Sequence, residues 1–268
     1  MRPFAQHIAF IAALVILAFV TRITVPSNSF SSPHIDLITQ APGGTDAEVL
    51  RWTSLLKSSD EEERLDAALQ LSRLKGDSAG RALASALTDP SPRVRAAVAS
   101  GLAERGEAWA VPLLVSRLAQ DKDKFVRKTT GYALGGFHGR ERTAALVAAL
   151  KDKDTEVRGA VAVSLGDHPD AEAVPALSAA LSDKSAFVRA QAAHALGVNG
   201  REASQAVPSL ISLLTKDEDL EVRRRAATAL GEIGDRSALP SLERARHDKD
   251  PYLDQAAIDA IKIIEGRR

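Results

Sequence analysis

The segment at residues 217–231, DEDLEVRRRAATALG, contains the pattern that decides the fold. Its central feature is a Val-Arg pair, which an alanine-rich stretch and a Leu-Gly pair follow. The same Val-Arg pair recurs at intervals of 31 to 34 residues, beginning at Val94, Val126, Val157, Val188 and Val222. A fixed period of this length predicts a repeat protein in which each unit packs on its neighbours in the chain.

The register extends back to Glu63-Arg64 and forward to Leu253-Asp254, which gives seven units. We take the first residue of each pair as the anchor of its unit. Three residues before the anchor lies a residue that caps helix N-termini well, namely Asp60, Ser91, Asp123, Asp154, Ser185, Asp219 and Asp250. Eight residues after the anchor lies a large aliphatic residue: Leu71, Leu102, Leu134, Leu165, Leu196, Leu230 and Ile261. We therefore expect a capped helix with a buried face in every unit.

Each unit also contains a helix before the capped one, because prolines recur at equivalent positions where a helix would start. We call the preceding helix the first helix of the unit and the capped helix the second. These are Pro112, Pro175, Pro208 and Pro240, and proline is tolerated in the first helical turn. Two amphipathic helices per unit cannot close a core alone, whereas stacked units can. The predicted fold class is therefore all-α, an α-solenoid of about seven helix pairs at residues 46–268.

The arginine of each pair lies at the margin of the buried face and needs a partner. Five residues before the anchor, six of the seven units have an aspartate, and the first unit has Ser58 instead. Charge-assisted hydrogen bonds between these groups would satisfy both. We expect a structural ladder, not a ligand site, formed by Asp89, Arg95, Asp121, Arg127, Asp152, Arg158, Asp183, Arg189, Asp217 and Arg223.

The N-terminal 45 residues have a different composition. An unbroken apolar run at residues 8–20 follows Arg2, a pattern typical of secretory signals and signal anchors. We expect a signal anchor or signal peptide at 1–25, with membrane contact through 4–25, and a flexible tether at 26–45. Charge before the run favours a cytoplasmic N-terminus, which would place the repeats extracytoplasmically. The alternative is a cleaved signal and a periplasmic or secreted product.

The pattern at residues 217–231 resembles the HEAT-repeat family, in particular the short-repeat subtype of phycobilisome lyases. The resemblance implies a non-catalytic scaffold for protein–protein interaction. The alternative is a HEAT-fold enzyme of the phycobilin lyase or deoxyhypusine hydroxylase type. Those hydroxylases bind iron through His-Glu pairs, and no His-Glu dipeptide occurs in this chain. We therefore expect no catalytic residue, no metal site and no cofactor.

Two further patterns argue against other classes. The motif Gly76-Asp77-Ser78-Ala79-Gly80 matches a hydrolase nucleophile turn, but it needs a strand before it, and here it lies between two predicted helices. The chain has 35 basic and 35 acidic residues, so we expect no nucleic-acid partner.

The resemblance implies that the second helices line the concave side of the solenoid. Residues two, three and six positions after the anchor should then face a groove. The candidate groove residues are Lys128, Tyr132, Gln191, His194, Arg224 and Arg225. We expect a segment of another protein, in the cell envelope, to bind there. The alternative is that these residues form only a solvated helical face.

Overall fold

A computed structural model describes residues 45–266. The anchor predicted at 1–25 and all but the last residue of the tether predicted at 26–45 lie outside this range. Within it, none of the helices has the length and apolar character needed to cross a lipid bilayer.

The described residues form fourteen α-helices and no β-strand. In chain order, α1 to α14 are Asp46–Leu55, Glu61–Arg73, Asp77–Ser85, Pro92–Arg105, Val111–Gln120, Lys124–Gly135, Arg140–Ala149, Thr155–Gly166, Val174–Ala180, Ala186–Val198, Val207–Lys216, Leu220–Ile233, Leu239–Ala245 and Pro251–Gly266. Short 3₁₀ turns join several of them. Successive helices form seven antiparallel pairs, so the predicted all-α solenoid is confirmed, and the even-numbered helices are the second helices of the pairs.

The second helices start where the cap residues predict. Asp60, Asp123, Asp154 and Asp219 each accept a hydrogen bond from a backbone N–H of the first turn. Ser91 and Asp250 do the same for α4 and α14. Ser185 also stands at the N-cap position, as predicted, but its side chain forms no capping hydrogen bond.

The core is a continuous aliphatic layer between the two helices of every pair. The predicted leucines at residues 71, 102, 134, 165, 196 and 230 are fully buried, and Ile261 is nearly so. Neighbouring second helices approach very closely: a Cβ added to Gly231 would lie 2.6 Å from the Cα of Ala260. The first helices contact one another much less. The second helices therefore form the tighter, inner layer of the solenoid.

The antiparallel pairs place two kinds of loop at opposite edges. Loops within pairs, which join a first helix to its second helix, lie at one edge, which we call the ladder edge. Loops between pairs, which join a second helix to the next first helix, lie at the other, which we call the junction edge. All second helices begin at the ladder edge, so the positive ends of their dipoles point the same way.

Candidate interaction surface

The aspartates and arginines at the ladder edge form an Asp–Arg ladder that links successive pairs. Each arginine reaches the aspartate of the following pair. Arg158 Nε donates to Asp183 Oδ2 at 2.7 Å, and its Nη2 donates to Oδ1 at 2.9 Å. The equivalent closest N···O distances are 2.6 to 2.8 Å for Arg64–Asp89, Arg95–Asp121, Arg127–Asp152, Arg189–Asp217 and Arg223–Asp248.

Each ladder group also stabilises the loop that carries it. Arg158 Nη1 donates to the carbonyl oxygen of Asp152, six residues earlier, at 3.0 Å. Asp183 Oδ1 accepts from the backbone N–H of Ser185 at 2.8 Å. The side chains of Arg158 and Asp183 are only 7% and 12% exposed. One ion pair therefore fixes two loops and the spacing between two helix pairs.

Burial and hydrogen bonding shift the pKa of the ladder carboxylates in opposite directions. Burial by itself raises the pKa of Asp121, Asp152, Asp183 and Asp217. Hydrogen bonds from the ladder arginine and from the loop N–H outweigh burial and hold each pKa below its usual range. These four carboxylates are thus ionised and paired at neutral pH.

The six candidate groove residues lie half-buried on the inner layer, on α6, α10 and α12. Several already have partners within the chain. Lys128 Nζ lies 2.6 Å from Glu156 Oε2. Arg224 pairs with Asp250 at 2.6 Å and stacks on the ring of Tyr252 at 4.9 Å.

The remaining four candidates differ in their interactions with other residues of the chain. Arg225 pairs with Glu221, one turn earlier, at 2.8 Å. Burial, and after it the nearby Arg225, lowers the pKa of His194. Burial raises the pKa of Tyr132, as does the charge of Glu156. Neither Gln191 nor Tyr132 forms a side-chain hydrogen bond to another residue of the range 45–266. The two arginines are therefore less available to a partner than the sequence suggested.

The most exposed aromatic residues of the inner layer were not among the candidates. Phe125, Phe187 and Tyr252 are 39%, 48% and 70% exposed, and each lies one position before the anchor of its unit. At roughly 100° per residue, that position shares a face with the second, third and sixth positions after the anchor. We call these three residues the aromatic row. The sequence contains the signal for this row, because an aromatic residue recurs one position before the anchor in three units.

The aromatic row has a fixed relation to the neighbouring unit. Phe187 covers Gly159 of the preceding second helix so closely that an added Cβ there would lie 2.3 Å from the ring. Tyr252 lies on Arg224 in the same relation. In the unit between Phe125 and Phe187, the equivalent residue is Glu156, which pairs with Lys128. Aromatic and charged contacts therefore alternate along the inner face.

The junction edge contains the remaining residues of chemical interest. Ser78 lies in the first turn of α3 with no strand before it, so the hydrolase turn is not formed. His138 and His168 have ring centroids 4.1 Å apart, with planes inclined by 43°. Among residues 45–266, no three His, Cys, Asp or Glu side chains are grouped so that they could hold a metal ion.

Comparison with known proteins gives the same architecture. A family model of HEAT repeats matches residues 49–135, 143–204 and 188–262. The Escherichia coli protein YibA is 23% identical, with a TM-score of 0.64 over 84% of this chain and 83% of that chain. The complex of CpcE and CpcF of phycocyanin lyase from Nostoc contains a chain that is 24% identical, with a TM-score of 0.50 over 88% of this chain and 94% of that one.

Human deoxyhypusine hydroxylase is 23% identical over 82% of this chain and 97% of its own, with a TM-score of 0.40. No curated protein sequence matches the chain. At these identities the solved structures show the fold alone. The family model, however, matches well over half of the chain and follows the same helix pairs that the ladder connects, and the chain accordingly belongs to the HEAT-repeat family.

Proposed function

We propose that the chain is a non-catalytic interaction scaffold that binds a segment of another protein along its inner face. The observation that carries this proposal is the aromatic row. Three exposed aromatic side chains recur at the same register position, on every second unit. Aromatic residues are enriched at protein interfaces, and the common register position of these three rings places them on one face of the solenoid.

The geometry favours an elongated partner segment. Second helices in contact lie roughly 10 Å apart, so residues two units apart are separated by about 20 Å along the solenoid. A segment that reaches from Phe125 to Tyr252 therefore crosses five second helices.

The charges of this face are mostly paired internally. Lys128 and Glu156 satisfy each other, as do Arg225 and Glu221. We therefore propose that affinity depends on apolar contacts with Phe125, Phe187, Tyr252 and the half-buried Tyr132. The ion pairs would then set the shape of the surface more than they bind the partner.

The same proposal includes the place of the scaffold. We propose that residues 4–25 attach the chain to a membrane, that the repeats are extracytoplasmic, and that the partner is a protein of the cell envelope. A fold of this kind serves many functions, so the proposal depends on the site. A pigment or metal that copurifies stoichiometrically with the full-length protein would contradict the non-catalytic part of the proposal.

A photo-crosslinking residue at position 187 tests the binding face. Full-length protein crosslinked in its own membranes should capture one reproducible partner from position 187, and none from position 113 on the outer layer. Leu113 is 41% exposed, so the two positions are comparably accessible.

In a second assay, the chain without a crosslinking residue is used for affinity capture of the partner from the same membranes. The double variant Phe125→Ala and Phe187→Ala should reduce this capture at least about tenfold, the loss expected for interface hot spots. Leu113→Ala is the matched control and should leave capture unchanged. Equal crosslinking from both positions, or full capture by a folded double variant, would overturn the proposal.

A further inference from the structure

Four exposed lysines lie in three successive loops at the centre of the ladder edge. They are Lys122 in the loop of the third pair, Lys151 and Lys153 in that of the fourth, and Lys184 in that of the fifth. We call them the basic strip. No carboxylate within residues 45–266 forms an ion pair with any of them.

The acidic residues in these loops are nearly all neutralised. Asp121, Asp152 and Asp183 are paired with ladder arginines. Asp154 pairs with Lys124 at 3.2 Å. Asp123 alone among the carboxylates of the three loops has no cationic partner in the described range, and it caps the positive end of α6. The strip therefore has a clear excess of positive charge, although the whole chain has none.

The ladder holds the backbone of three of these lysines in place. The carbonyl oxygens of Lys122, Lys153 and Lys184 accept hydrogen bonds from ladder arginines at 3.3 to 3.4 Å. The three lysines occupy the same position in successive units, so their spacing follows the stacking of the second helices. The second helices also begin here, and their dipoles add positive potential at the same edge.

We propose that the basic strip docks on the anionic headgroups of a lipid bilayer and so holds the solenoid with its ladder edge against the membrane. A row of lysines at the end of a stack of helices suits a planar anionic surface. A few lysines bind such a surface weakly on their own, but they orient a protein that is already held beside it. The inference thus rests on the membrane attachment proposed for residues 4–25.

The length of the chain before the solenoid permits this orientation. Thr45 lies at the junction edge, because α1 runs from there toward the ladder edge. A second helix such as the 12-residue α6 is about 18 Å long at 1.5 Å per residue, and this length approximates the distance between the edges. About 20 residues of polar linker span roughly 25 Å on average. The tether predicted at 26–45 is therefore long enough to connect a membrane at the ladder edge to Thr45.

The chain has no cysteine, so single labels can report which edge meets the lipid. Ser182→Cys places a label in the loop that contains Lys184, and Ser204→Cys places one at the junction edge; both serines are exposed. Full-length labelled protein is mixed with vesicles of phosphatidylcholine, alone or with phosphatidylglycerol, that contain a nitroxide headgroup quencher. With phosphatidylglycerol, the label at 182 should be quenched several-fold more than the label at 204.

This contrast should disappear in phosphatidylcholine alone, in high salt, and in the triple variant Lys122→Gln, Lys153→Gln, Lys184→Gln. The matched control, Lys75→Gln with Arg201→Gln and Arg236→Gln, removes three positive charges from the junction edge and should retain it. Equal quenching at both labels, or a contrast that the strip variant keeps, would overturn the proposal. So would a contrast that is absent with lipid while polyglutamate still binds the strip, because the occupant would then be an acidic protein segment.

The same samples separate this inference from the attachment on which it rests. Sedimentation of the full-length chain with phosphatidylcholine vesicles reports attachment through residues 4–25, which needs no anionic lipid. Failure there contradicts the membrane attachment. Sedimentation with no contrast between labels contradicts only the role of the strip.

Discussion

At the ladder edge, successive loops repeat the same contacts, whereas at the junction edge successive loops differ from one another. Every ladder arginine pairs with the aspartate of the next unit. At the junction edge, Arg105 donates to the carbonyl of Leu71 at 3.2 Å, Arg142 donates to that of Leu134 at 3.3 Å, and Asn199 accepts from the N–H of Asp170 at 2.8 Å. The repeated ion pairs at the ladder edge therefore set the spacing of the units. The contacts at the junction edge can differ from one loop to the next because they do not set this spacing.

Arginines at the two edges are similarly buried but differ in what they bind. Arg158 satisfies the buried carboxylate of Asp183. Arg142, which is 2% exposed, donates hydrogen bonds to the backbone carbonyls of Leu134 and Ser164. Burial lowers the pKa of Arg142, although Asp167 and Asp170 partly offset this effect. Although the two arginines are similarly buried, we expect their removal to lower the free energy of unfolding by different amounts.

The largest effect is expected at the ladder edge. Arg158→Met leaves the carboxylate of Asp183 buried without a cation and should lower the free energy of unfolding by about 3–5 kcal/mol. Urea denaturation followed by circular dichroism measures the loss. Arg223→Met is the matched control, because both groups of that pair are 23% exposed and the loss should be only about 1 kcal/mol. Equal losses would show that burial of the pair does not decide its contribution.

A smaller effect is expected at the junction edge. Arg142→Met leaves the carbonyls of Leu134 and Ser164 without a donor but leaves no buried charge unpaired. The free energy of unfolding should fall by about 1–2 kcal/mol, measured by the same urea titration. A loss as large as that of Arg158→Met would remove the distinction between the two edges.

The ladder edge should also control stability in acid. Five of its aspartates have pKa values below the ordinary 3.9 or so of the unfolded chain, so the unfolded state takes up protons first as the pH falls. They are Asp121, Asp152, Asp183, Asp217 and Asp248. The stabilisation is complete well above pH 4 and is lost as the pH falls through the lowered values. Thermal unfolding between pH 5 and 2.5 should show a steep fall in Tm. A Tm that stays level to pH 3 would contradict this prediction.

The smallest effect is expected at the junction edge near neutral pH. Burial, followed by the charges of His138 and Arg142, lowers the pKa of His168. The unfolded state therefore gains a proton first as the pH falls below about 6.5, and a modest part of the stability should be lost between pH 7 and 5. His194 on the inner face contributes in the same sense.

The variant His168→Asn should remove the part of this stability loss that comes from the junction edge. The variant His194→Asn should remove the part that comes from the inner face. Tm measured at pH 7 and pH 5.5 for the two single variants tests this. An unchanged difference in Tm for His168→Asn would exclude a titrating junction edge.

The features that repeat in every unit could be predicted from the sequence. The contacts that a residue makes with the neighbouring unit could not. Caps and buried leucines follow from local spacing, and the family model confirms the repeats. The direction of the ladder did not follow, because Arg158 has one aspartate six residues before it and another 25 residues after it. Only the stacking of the pairs shows that the nearer residue, Asp152, contributes its carbonyl and the farther one, Asp183, its carboxylate.

The candidate groove shows the same limit. The pairing of Arg225 with Glu221 could have been predicted from their spacing of one helical turn. The pairing of Arg224 with Asp250 could not, because the partner lies in the next unit. The aromatic row was not predicted because the groove was assigned to the second, third and sixth positions after the anchor, whereas Phe125, Phe187 and Tyr252 lie one position before it.

The ends of the ladder have a consequence for self-association. The first unit has Ser58 in place of the ladder aspartate; its hydroxyl accepts the N–H of Asp60 at 3.1 Å and so keeps the turn without the charge. The last unit has Asp254 in place of the ladder arginine. A second molecule stacked head-to-tail would therefore set an aspartate against a serine, with no ion pair to join them. Head-to-tail contacts between molecules produce filaments when they do not close into a ring. Because of the two substituted ends, such a filament would lack the Arg–Asp ion pair that links successive helix pairs inside the molecule.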